Sequence, residues 1–178
     1  MIHETSNAES PAILRITVFS MWLYHLWHDP INELASMPLV LFSPIGVLDL
    51  LPSAAWPLIL SEPFLWTMKI LLLLTLPLLI LGVRPFSRIA IPVCIALTLY
   101  QGLTRSYGKI NHGELAMLYA AYVLAISPCV DALSVMKPRN PSTNSRYAAA
   151  LFAMATVLCL TYTFVGVRRF AVGGSAIF

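Results

Sequence analysis

The sequence predicts an all-α membrane protein of about five transmembrane helices, with a proline-broken interfacial or re-entrant segment between the first and the second. Three observations predict it. Of 178 residues, 58% are hydrophobic and only 11% charged, whereas a soluble domain carries about 25% charged residues to coat its surface. The mean hydropathy is +0.79, the opposite of the low hydrophobicity and high charge that keep a chain disordered. The length supplies the third. A spanning helix uses about 20 residues, so five use roughly 100, which leaves short loops, one long one and no room for a large extramembrane domain. Residues 1–178 therefore read as a single integral membrane domain. The net charge of +3 is scattered rather than gathered in a stripe, which argues against a nucleic-acid partner. The bilayer is the partner the composition demands.

Residues 12–27 form the first span, with Arg15 near its start placed to snorkel toward headgroups. Its aromatic end, Trp22 to Trp27, suits a helix leaving the membrane, and Pro30 stops it. The preceding residues hold Glu4 and Glu9 but no Lys or Arg, so they lack the positive region of a secretory signal and the helix reads as retained. Between Ile31 and Pro63 the chain is apolar yet broken by Pro38, Pro44, Pro52 and Pro57. Each proline removes a backbone donor and clashes with the preceding turn, so one regular spanning helix is excluded. Short interfacial pieces, or a re-entrant segment packed on protein, remain.

The second span is 64–83, with Lys69 inside it and a proline kink at Pro77. A turn at Arg84–Arg88 leads to the third span, 89–104, and Arg105–Asn111 forms a short polar loop. The fourth span, 114–130, is ended by Ser127-Pro128. The loop Asp131–Arg146 precedes an uncharged fifth span, 147–167, which runs into Arg168-Arg169. Cys94, Cys129 and Cys159 lie far apart in apolar runs, without metal-ligand spacing, and read as small residues packed among helices. Basic residues favour the cytoplasmic side. Placing Arg15, Arg84, Arg88, Lys137, Arg139 and Arg146 there puts the N-terminus inside and the C-terminus outside.

That topology gathers chemistry on the outer side. His25, His28 and Asp29 end the first span, the loop before the fourth holds Arg105, Lys109, Asn111, His112 and Glu114, and Arg168 and Arg169 close the fifth. Ionisable groups near membrane depth are costly, so the cluster of Lys109, Asn111, His112, Glu114, Arg168 and Arg169 reads either as an organised polar site or as headgroup anchors. His25 and His28, spaced i, i+3, share a helical face and are weak candidate ligands for a metal or haem. At least one further ligand is required, and no metal is assigned. Phosphate-binding glycine loops, nucleophile elbows and metalloprotease helices do not occur in the sequence.

The run Asn111-His-Gly-Glu-Leu115, then Asp131-Ala-Leu-Ser134, then Tyr162-Thr-Phe-Val-Gly-Val-Arg-Arg-Phe170 resembles the membrane domain of vitamin K-dependent gamma-carboxylases and of the horizontally transferred transmembrane (HTTM) proteins, their bacterial relatives. The turn Leu81-Gly-Val-Arg84 is similar as well. The resemblance covers about sixty residues well and the remainder loosely. It implies a five-span, N-inside layout in a bacterial cytoplasmic membrane and an outer active side able to take a quinone-like molecule. His112 matches the family's Asn-His histidine. The family's catalytic base is a lysine where this chain has Arg168 or Arg169, with Arg169 the better match. Arginine stays protonated and cannot be that base, so the resemblance implies no carboxylation. It implies instead a divergent relative or a shortened chain.

Two roles follow. One is a binder of, or enzyme acting on, a quinone-like or lipid-like molecule at the outer face. There Arg168 and Arg169 would hold an anionic oxygen and His112 would exchange a proton. The other is a non-catalytic accessory subunit whose proline-broken loop and aromatic helix ends pack on membrane-protein partners. Fold alone does not choose between them.

Overall fold

The structure, a computed structural model, describes residues 8–108, 112–136 and 143–173. Among these the chain is all-helical. Five long helices lie where the spans are predicted: α1 Glu9–His28, α3 Glu62–Leu81, α4 Phe86–Ser106, α5 His112–Ile126 and α6 Asn144–Gly173, with a short α2 at Trp56–Ile59. Three of them, α3, α4 and the Asn144–Phe164 part of α6, are long and apolar enough to cross a membrane. α1 has the length, but Glu9, Arg15, His25 and His28 lower its mean hydropathy. α5 is shorter than predicted, since Pro128 ends it at Ile126 rather than Val130; its 15 residues rise about 22 Å at 1.5 Å each.

Local chemistry sets the boundaries. α1 ends at Asp29, which is extended because Pro30 follows it and disfavours the helical region. α3 starts with Pro63 in its first turn, where a missing N–H costs nothing. It ends at Gly82, whose φ of 69° is left-handed. Gly82 donates to the Leu79 carbonyl and Val83 to the Leu78 carbonyl, at 3.1 and 3.0 Å, closing the helix end. α4 starts at Phe86, ahead of the predicted 89, and includes Arg105, so the polar loop begins only at Tyr107.

The prolines between α1 and α3 act as starts, not merely as breaks. Pro30, Pro38 and Pro52 each immediately precede a 3-10 turn, at Ile31–Ser36, Leu39–Leu41 and Ser53–Ala55, and Pro44 precedes another at Gly46–Leu50. The fixed φ of proline holds the chain at the entrance of each turn, and the next proline prevents the turn from lengthening. This segment packs on α3 and on the end of α4. Ser43 donates its N–H to the Ser106 carbonyl at 3.0 Å. Leu48 fills the space left by Gly102, where a Cβ would come within 2.6 Å of it. The Phe42 ring lies tilted against both Trp56 and Tyr107, with centroids 4.8 and 5.3 Å away.

α1 packs against α3, α5 and α6, and α5 against α4 and α6. The core is aromatic and aliphatic: Phe19, Trp22 and Leu26 of α1, Leu72 and Leu76 of α3 and Leu97 of α4 are buried. Two expectations fail here. Arg15 does not snorkel. It is fully buried and donates from Nη2 to the Leu133 carbonyl at 2.5 Å, against the C-terminal end of α3. The negative end of a helix and a loop carbonyl hold the cation inside, where headgroups would have drawn it out. The cysteines also divide, since Cys94 and Cys129 are buried but Cys159 is exposed on α6.

Candidate functional site

Alternating helix directions bring the end of α1, the start of α3, the end of α4, the start of α5 and the end of α6 to one pole. There Glu114, in the first turn of α5, is 4% exposed. Gln101 of α4, buried beside it, donates from Nε2 to Glu114 Oε2 at 2.5 Å. Gln101 Oε1 in turn accepts from Arg105 Nε at 3.1 Å, one helical turn on. His25 of α1 places Nδ1 at 3.8 Å from Glu114 Oε1, too long for a hydrogen bond but close enough for charge to be felt. A carboxylate leaving water needs such partners, because its desolvation is otherwise prohibitive.

A second cluster fastens this pole. The Tyr100 hydroxyl donates to the Asp29 carboxylate. Lys69 donates to the Asp29 backbone carbonyl at 2.8 Å, its ammonium also 5.8 Å from the Trp66 ring. Asp29 therefore ties the end of α1 to both α3 and α4. Lys69, which is costly at membrane depth, is matched by a carbonyl left open at the α1 terminus. Tyr107, just past α4, has a buried hydroxyl without a hydrogen-bond partner among the described residues, and burial pushes its ionisation upward.

Beside Glu114 a groove of about 400 Å³ opens between α1, α5 and α6. Its walls are carbon and sulfur: Val18 and Met21 from α1, Met117 and Ala120 from α5, Met154 and Leu158 from α6. His25 and Glu114 stand at its polar end, with Tyr162 also on its lining. A cleft that is apolar along its length and carries a few polar groups at one end suits an amphiphilic small molecule. Methionines, unbranched and polarizable, fit such a wall to irregular shapes.

Of the predicted cluster, Glu114 is the one residue whose side chain the structure describes. Glu114 is in the site. Lys109 and Asn111 lie outside the described residues. His112 opens α5, and Arg168 and Arg169 lie on α6 about two turns beyond Tyr162, but their side chains lie outside what the structure describes. His25 and His28 do not converge as ligands. His25 turns to Glu114, whereas His28 is exposed, donates from Nδ1 to the Tyr24 carbonyl at 2.9 Å and lies against the Tyr24 ring. Among the described residues no group of three or more His, Cys, Asp or Glu side chains is placed to hold a metal. Sequence reasoning missed Gln101 and Tyr100. The available signal was a glutamine inside an otherwise apolar helix, a polar group that must find a buried partner.

Asp131 and Ser134, the other paired motif, sit at the opposite pole. Asp131 accepts from Arg84 Nη2 at 3.2 Å and from the Tyr147 hydroxyl at 3.0 Å. The Ser134 hydroxyl donates to the Val130 or Met136 carbonyl. No protein-family model, curated protein or solved structure matches this chain.

Proposed function

We propose that this chain is an integral membrane protein of the HTTM and gamma-carboxylase-like type that binds a quinone-like or lipid-like molecule in the groove between α1, α5 and α6. We place its N-terminus in the cytoplasm, its C-terminus outside a bacterial inner membrane, and the proline-started turns between α1 and α3 at the outer interface. The single observation behind the binding role is the groove itself, lined by methionine and aliphatic carbon and ending on a buried carboxylate and an imidazole. The tail of an amphiphile gains by burial along the groove. Its head meets Glu114 as acceptor and His25 as either donor or acceptor, according to tautomer. Arg168 and Arg169 belong to the proposal as cations for an anionic oxygen, and His112 as a proton carrier. With arginine at the position of the family's base, vitamin K hydroquinone is not deprotonated and an epoxidation assay reads zero.

The accessory-subunit reading draws on a different observation. Over its spanning window α6 has only 11% of its residues buried within the chain, leaving a face for lipid or for a partner helix.

Binding of decylubiquinone to the purified full chain in detergent separates the two readings. Saturable 1:1 binding is expected, abolished by Ala120→Trp, which fills the groove, and weakened by about tenfold in Glu114→Gln, the worth of one charge-assisted hydrogen bond. Binding that neither substitution changes would remove the groove from the account and leave the subunit role.

A further inference from the structure

At the opposite pole a second groove, of about 470 Å³, lies between the end of α5 and the start of α6. Its walls are Val123 and Ile126 on one side and Ala149, Ala150 and Ala153 on the other. Arg146 stands at its end, one turn before the alanines on the same face of α6. The Arg146 side chain is exposed and makes no ion pair or hydrogen bond among the described residues. Among the described residues its neighbours do not neutralise it. Asp131 is engaged by Arg84 and Tyr147, and the Ser127 hydroxyl on the groove wall turns back to the Leu124 carbonyl. The groove thus presents hydrocarbon along its length and one uncommitted guanidinium at its mouth.

We infer that this groove is a binding site for one anionic phospholipid of the inner leaflet, its acyl chain lying against the alanines and its phosphate on Arg146. Charge decides the occupant. A helix from a partner protein or a second copy would gain from the small-residue wall alone. Only a ligand with an anion at the interface and hydrocarbon below it satisfies both ends. The planar guanidinium binds a phosphate oxygen pair in a fixed geometry that an ammonium does not reproduce. The same loop carries two further basic residues in sequence, Lys137 and Arg139. The leaflet rests on the orientation proposed above, but the site is independent of the groove beside Glu114, and either stands if the other fails.

Native mass spectrometry of the full chain, released from vesicles of phosphatidylglycerol and phosphatidylcholine mixed in equal parts, tests the inference. One phosphatidylglycerol is expected to persist per chain. Its retention should fall about fivefold in Arg146→Gln, the worth of one cation at an anionic surface, and less in Arg146→Lys. Ala150→Phe should lose it with Arg146 intact and helical circular dichroism unchanged. Millimolar inorganic phosphate should not displace it, since phosphate alone lacks the chain. Equal retention of both lipids, indifference to Arg146→Gln and Ala150→Phe, displacement by free phosphate, or a dimer that Ala150→Phe converts to monomer would each overturn it.

Discussion

The two poles of the bundle carry similar side chains put to opposite uses. At the Glu114 pole a buried carboxylate accepts from the Gln101 amide and faces a histidine across 3.8 Å, and a groove runs up to it. At the Arg15 pole a buried guanidinium is clamped between Gly82 and the 131–136 loop. Nε and Nη1 have no hydrogen-bond partner among the described residues, and the space around them is filled by protein. Leu133, whose carbonyl accepts from Arg15, adopts a φ of 49°, a left-handed conformation that costs a non-glycine residue about 1–2 kcal/mol. Buried polar groups backed by strained, tightly packed backbone indicate fastening. Buried polar groups beside an apolar cleft indicate recognition. The difference lies in the packing around the charge, which the charge itself does not announce.

Substitutions around Arg15 should therefore unfold the protein without touching the ligand of the groove beside Glu114, and the largest effect is expected at Gly82. A Cβ there would lie 2.1 Å from Arg15 Nη1 and 2.7 Å from Ser134 Cβ, on backbone with a φ of 69°. Gly82→Ala should cost about 3 kcal/mol through conformational strain and overpacking together, read by denaturant titration of the detergent-solubilised protein. Pairing it with Arg15→Ala should recover only the share due to the Arg15 clash, leaving the contact with Ser134 and the backbone strain. Full additivity of the two would mean that Arg15 does not pack on Gly82. A smaller loss belongs to Asp131→Asn, which weakens the tie from the α3–α4 turn to α6 through Arg84 and Tyr147. About 2 kcal/mol is expected, because Arg84 is partly solvated and its exposure moderates the penalty of a broken pair. Decylubiquinone affinity should be unchanged in Asp131→Asn. A parallel fall in affinity would erase the distinction between the poles.

The helices were legible in the sequence because their boundaries are written in local chemistry. Pro30, Pro63, Gly82 and Pro128 mark ends that the structure keeps within a few residues. The proline-rich stretch was legible as broken, but its order was not: which proline starts a turn depends on packing against α3 and on the cleft at Gly102, contacts distant in sequence. Arg15 was misjudged because a cation near a helix start snorkels by default, and the acceptor that holds it, the Leu133 carbonyl, lies 118 residues away. Glu114 was legible as an ionisable group at helix depth. Its partner Gln101 was not, since only the pairing of α4 with α5 turns an isolated glutamine into a ligand of that carboxylate.

Photo-crosslinking with an azido-ubiquinone on the full chain in vesicles tests the binding claim most directly, because it reports position as well as occupancy. The groove reading predicts adducts on Met117 and Met154, competed away by unlabelled decylubiquinone and lost in Ala120→Trp. Adducts confined to the exposed faces of α6, at Phe152 and Phe164, and insensitive to competitor would contradict it, because the molecule would then be dissolved in the bilayer rather than bound by the protein.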